Sequence, residues 1–162
     1  MDAAEREHIV ERLRGEILSP RIDGFRAVAE SLRGEPLDAF HEAFTPLFQE
    51  ARAVFRELIE VPTALNIPPD INQLFFAYTI SDFNSALPPD YPYILAIANV
   101  SEERRFCCIC IERKWVSKVF PEAPSGAVAV VFVETTEDLA KGNIFAMDIA
   151  YSPADVHIVP PD

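Results

Sequence analysis

Between Val61 and Val100 the chain has no lysine and no arginine. That gap belongs to a wider shortage: 14 Lys and Arg stand against 26 Asp and Glu, a net charge of −12. A field of that sign repels nucleic acid and anionic lipid, and it argues against both as partners. Long apolar runs are also missing: none approaches the ~20 residues that a membrane-spanning helix needs. Residues 1–16, rich in Glu and Arg, lack the apolar core of a secretory signal. Cysteine is scarce and crowded. Cys107, Cys108 and Cys110 are the chain's three, an odd number at a spacing that no disulfide framework uses. A reducing, cytoplasmic location is the expectation. Glycine is scarce as well, and none of the five forms a phosphate-cradling loop or a G-x-S-x-G elbow.

What is present is enough apolar residue for one core. Hydrophobic residues make up 49% of 162 and charged residues 25%, which excludes disorder and fits a single domain over 1–162. The chain divides near residue 61. Ile9, Val10, Leu13 and Ile17 recur at helical spacing behind Asp2, a candidate N-cap, and Ser19-Pro20 is expected to end that helix. Phe25, Val28, Ala29 and Leu32 mark a second helix from about Gly24, with Asp23 before it and Gly34 after it. A third stretch from Pro36 carries an apolar stripe from Leu37 to Ile59. Pro46 is expected to kink it or make it restart.

Beyond residue 61 the pattern reads as strands: Leu74–Ser81, Tyr93–Val100, Arg105–Glu112, Ala127–Glu134, Ile144–Tyr151 and Val156–Val159. Tyr93–Val100 also fits a short buried helix. Arg105–Glu112 and Ala127–Glu134 are apolar on both faces, as central strands are. With no long helical crossover, the fold class expected is α+β. Helices over about 3–60 pack on a mostly antiparallel sheet of five or six strands within 74–159. An aliphatic-Pro-Pro-Asp pattern recurs at Ile67–Asp70, Leu87–Asp90 and Val159–Asp162. It reads as a stiff lead into a turn or helix, or as a proline-rich ligand.

The charge is unevenly spread. Residues 1–60 carry net −5, residues 61–100 net −3, residues 101–118 net +2 and residues 119–162 net −6. Solubility accounts for part of this. A base-free stretch of forty residues goes beyond it and suggests a face complementary to a basic partner. The candidate partner-binding residues are Asp70, Asp82, Asp90, Glu134, Glu137 and Asp138. Trp115 joins them as a natural interface anchor.

Catalytic and metal chemistry find little support. On a strand Cys108 and Cys110 share a face and Cys107 points away, whereas structural zinc wants four ligands, usually as two pairs. The three cysteines read as small buried hydrophobes. His8 and His41 lie on amphipathic helices, and a Cys110–His157 pair is conceivable only through the fold. Asp148 sits in an apolar strand, facing with Ala146 and Ala150. Arg113, Lys114, Trp115 and Lys118, with Arg104 and Arg105, form the only basic-aromatic cluster, read as a turn with Trp115 on the core edge. No cofactor and no metal are expected.

Leu87-Pro88-Pro89-Asp90-Tyr91, followed by Ile94-Leu95, resembles the LPxDYxxFL signature of the SUKH superfamily, many of whose members neutralise bacterial toxins. The resemblance is confined to that segment. Pro92 stands where the family continues a helix, and Asn99-Val100 stands where it has Asn-Gly. The expected function is that of an acidic cytosolic partner-binding protein: an immunity-type inhibitor of a basic toxin or enzyme, or a small chaperone. The alternative is a small-molecule binder or enzyme, its apolar pocket lined by Phe75, Tyr78, Phe106, Phe132 and Phe145, with Asp82, Asp148 or His157 as the polar group.

Overall fold

A computed structural model describes residues 2–31, 36–124 and 127–156. Helix α1 (Ala3–Leu13) opens on the expected cap. The Glu5 N–H donates to Asp2 Oδ1 at 2.8 Å, and the Asp2 N–H donates to the Glu5 carboxylate at 3.0 Å. The helix does not end at Ser19-Pro20. It passes through a π-helical turn, Arg14–Leu18, straight into α2 (Ser19–Ser31). Pro20 has no N–H to return to the previous turn, and a one-residue widening lets the helix continue past it. Ser19 donates both its N–H and its hydroxyl to the Arg14 carbonyl, the hydroxyl at 2.9 Å. Asp23 and Gly24 therefore lie inside a helix. Gly34 lies outside the described residues.

Helix α3 (Leu37–Leu58) likewise runs through Pro46 without restarting. Pro46 and Glu42 are both exposed, so water reaches the carbonyl that the proline leaves unbonded. After the short α4 (Val61–Ala64) comes α5 (Pro69–Ala86), where a strand over Leu74–Ser81 was expected. Pro69 sits in its first turn with Asp70. Ile71, Phe75, Phe76, Ala77, Thr79, Ile80, Phe83 and Asn84 are all buried, so the helix is covered nearly all round. Without a polar face it shows no helical stripe, and its Phe, Tyr, Thr and Ile mimic a strand.

The sheet has four strands, not five or six: β1 (Tyr93–Val100), β2 (Arg105–Glu112), β3 (Val128–Val133) and β4 (Ala146–Ala150), in the order β2-β1-β3-β4. It is mixed. β1 pairs antiparallel with β2 and parallel with β3, and β3 pairs antiparallel with β4. The parallel pair arises because α6 (Arg113–Val119), expected as a turn, carries the chain back across the sheet. Tyr93–Val100 is one of the two central strands, buried from Ile94 to Val100, whereas β2 is an edge. Val156 is buried after a 3₁₀ turn over Pro153–Asp155 and is not in a strand; residues 157–159 lie outside the described residues. The class is α+β, with helices first and sheet second.

The two faces of the sheet are covered unequally. Leu95, Ile97, Cys108, Val128 and Val130 join one core with α1–α3 and α5. Ile94, Ala96, Ala129, Val131 and Val133 form a smaller core with α6 and with α7 (Thr136–Lys141). One amide joins the layers on the thick side. Buried Asn84 of α5 accepts from the Leu95 N–H at 2.8 Å and donates to the Leu95 carbonyl at 2.9 Å. The β1–β3 register begins one residue later, at Ala96, so this side chain stands where a strand neighbour would.

Candidate functional site: an apolar cleft on the thinly covered face

Two helices of seven and six residues cannot cover the whole second face of the sheet. α6 turns Val116 inward and leaves Trp115 54% exposed. α7 is fixed at both ends. The Asp138 N–H donates to Thr135 Oγ1 at 3.0 Å, and Gly142 closes the helix at φ 74°, a left-handed position that suits glycine. Between them lies a cleft of about 260 Å³, lined by Ile109, Ile111, Trp115, Leu139, Ile144 and Met147, with Glu112 at its rim.

The charges around it are mostly engaged with one another. Glu112 pairs with Lys114 at 2.9 Å and, by that hydrogen bond, raises the lysine's pKa. Glu137 pairs with Lys141 at 2.7 Å. Asp138 accepts from the Thr135 hydroxyl at 2.9 Å. Burial lowers the pKa of Arg113, against the opposing charge of Asp90, and Arg113 Nε donates to the Tyr91 carbonyl at 2.8 Å.

The predicted partner-binding residues fall on two sides of the molecule. Trp115, Glu137 and Asp138 belong to the helices at the cleft, and exposed Glu134 lies between β3 and α7. Asp90 is exposed in the connection between α5 and β1. Asp70 and Asp82 lie on α5, on the thick side of the sheet. Asp70 pairs with Arg6 at 3.2 Å. Asp82 is only 14% exposed and is gripped by Arg14, whose Nε and Nη2 reach its two oxygens at 3.3 and 3.0 Å. Arg26 approaches it at 3.8 Å, and Arg14 lies 4.2 Å above the Tyr78 ring. Burial works against the Arg14 charge, yet Asp82 and Glu11 outweigh it and raise its pKa. Asp82 therefore fixes the π turn to α5.

Comparison with known proteins gives no match. No family model, no curated protein and no solved structure matches the chain. The likeness at Leu87–Tyr91 to the SUKH signature is thus accompanied by no family match, and the site is read from its own chemistry.

That chemistry is apolar. Cys108 and Cys110 face the thick core and Cys107 faces the thin one, as alternation requires. Burial pushes the Cys108 and Cys110 thiols up to about 12, so neither is a thiolate nucleophile near neutral pH. Among the described residues no His, Cys, Asp and Glu gather as a metal site. His8 is exposed; His157 and the side chain of His41 lie outside the described residues. Asp148 is exposed on β4. The five aromatics expected to line one pocket do not converge: Phe75 is fully buried, Tyr78 lies under Arg14 and Phe145 is 60% exposed. The floor of the observed cleft, Ile109, Ile111 and Met147, went unrecognised. The signal for it was β2's second apolar face, which reads as core until the shortness of α6 and α7 is known.

Proposed function

We propose that this is an acidic partner-binding protein whose docking surface is the cleft between α6 and α7. The observation that carries this reading is Trp115, half exposed at an apolar cleft on an incompletely covered sheet face. Aromatic anchors beside apolar depressions concentrate binding energy, and a rim of charge excludes water around them. The partner that fits is a basic protein, since a net charge of −12 steers it in from a distance. A cytoplasmic immunity-type inhibitor or a small chaperone has this chemistry. Capture from native lysate tests it. A basic protein should be retained at low salt and released as the Debye length shrinks to about 3 Å near 1 M. Recovery of no basic protein at low salt would count against the reading.

The cleft also bears on the small-molecule alternative. Its volume of about 260 Å³ falls below the roughly 300–1,000 Å³ usual for ligand pockets. Its one carboxylate, Glu112, is already paired with Lys114. Both observations favour the protein partner.

A further inference from the structure

The two edges of the sheet are built differently. β4 is five residues long, and the carboxylate of Asp148 at its centre accepts its own neighbour's N–H, from Ile149, at 2.9 Å. An edge with a central charge and a plugged donor resists pairing with another strand. β2 is eight residues long and carries no charge from Phe106 to Ile111. Among the described residues only β1 pairs with it. In an antiparallel edge strand half of the backbone groups point away from the partner.

Beside the start of β2 lies a groove of about 240 Å³, bounded by the last turns of α3 and lined by Arg52, Arg56, Arg105, Phe106 and Glu60. Its floor is held by aromatic packing, with Phe76 5.7 Å from both Phe55 and Phe106. Arg52 and Arg56 are exposed and one helical turn apart, a like-charge spacing that mildly destabilises a helix. Neither lies within ion-pair distance of a described carboxylate, whereas Arg6, Arg12, Arg14, Arg21 and Arg26 all do. Arg105 is held by Glu103 at 2.9 Å. Arg52 lies 5.7 Å from the Phe48 ring centroid, which leaves its N–H groups, like those of Arg56, open to an anion at the groove.

We infer that the free edge of β2 takes up an extended acidic peptide as a fifth strand, its carboxylates held by Arg52 and Arg56. Main-chain hydrogen bonds to the edge supply affinity, and the arginines supply selectivity. A small anion would use the arginines alone and leave the edge unpaired. Nucleic acid is disfavoured because its phosphates run continuously against a net charge of −12, whereas a peptide places only one or two carboxylates, at the arginines. The two surfaces share β2, whose Ile109 and Ile111 floor the Trp115 cleft, but Arg52 and Arg56 border only the groove, so their variant and Trp115→Ala test the two readings separately.

The test is selection of displayed random peptides, matched to β2 at eight residues, on the intact protein. Enrichment of Asp and Glu near one end supports the inference; enrichment without acidic residues, or none at all, overturns it. The best peptide is then titrated by fluorescence anisotropy. The R52Q/R56Q double variant changes only exposed side chains and should bind it about tenfold or more weakly, while circular dichroism stays as in the parent. A backbone N-methylated peptide should lose binding, and inorganic phosphate should compete only weakly. Unchanged affinity for R52Q/R56Q overturns the inference, and so does full binding of the methylated peptide.

Discussion

Asn84 does at one position what a whole strand does elsewhere: it completes the hydrogen bonding of a peptide group in the middle of the core. Replacing it with Ala leaves the Leu95 N–H and carbonyl buried without that partner. The expected cost is about 1–3 kcal/mol for each of the two groups. Urea unfolding of Asn84→Ala measures it, and a total loss below about 1 kcal/mol would show that water substitutes for the amide. The cysteines give a second prediction at this scale. Folded Cys108 and Cys110 hold their protons up to about 12 against an ordinary value of 9.0. Their contribution is therefore complete below about 9 and is lost as pH rises from there toward about 12. Stability should fall across that alkaline window, and a thiol reagent at pH 8 should leave both residues unmodified until the protein unfolds. Rapid modification of Cys108 in the native state would contradict this. The alternation that places these thiols was legible in the sequence. The Asn84–Leu95 pairing was not, because a residue read as lying between two strands gave no hint of facing one.

At the level of elements, boundaries set by local chemistry were legible and those set by burial were not. The Asp2 cap and the strands expected over Arg105–Glu112 and Ala127–Glu134 follow from nearby residues, whereas Tyr93–Val100, which also fits a short helix, is decided as a strand by its pairing on both sides. The reading of Leu74–Ser81 failed because α5 is buried almost all round, and burial on every side erases the periodicity that distinguishes helix from strand. Pro20 reads as a stop, and Pro46 as a kink or a restart. The structure absorbs one in a π turn and turns the other to water. The two sheet edges yield a prediction of their own. Asp148→Val removes the charge and frees the Ile149 N–H at the centre of β4, so the variant should self-associate in a concentration-dependent way by sedimentation equilibrium. If it remains as monodisperse as the parent, Asp148 does not guard that edge.

For the whole molecule the charge was legible as a total and not as a surface. Seven residues were expected to share a docking face, yet Asp70 and Asp82 are spent on Arg6 and Arg14 within the helical layer. Trp115, Glu134, Glu137 and Asp138 lie toward the other side. Linear charge counts cannot see ion pairs closed across the fold, such as Arg14 with Asp82, which are 68 residues apart. What survives is an acidic body with one thinly covered apolar face, and the central claim is that a basic partner docks there through Trp115. Titration calorimetry of the captured partner against the parent and Trp115→Ala tests it most directly. The account predicts at least about 2 kcal/mol of lost affinity, roughly 30-fold. Equal affinity for the two proteins would contradict it.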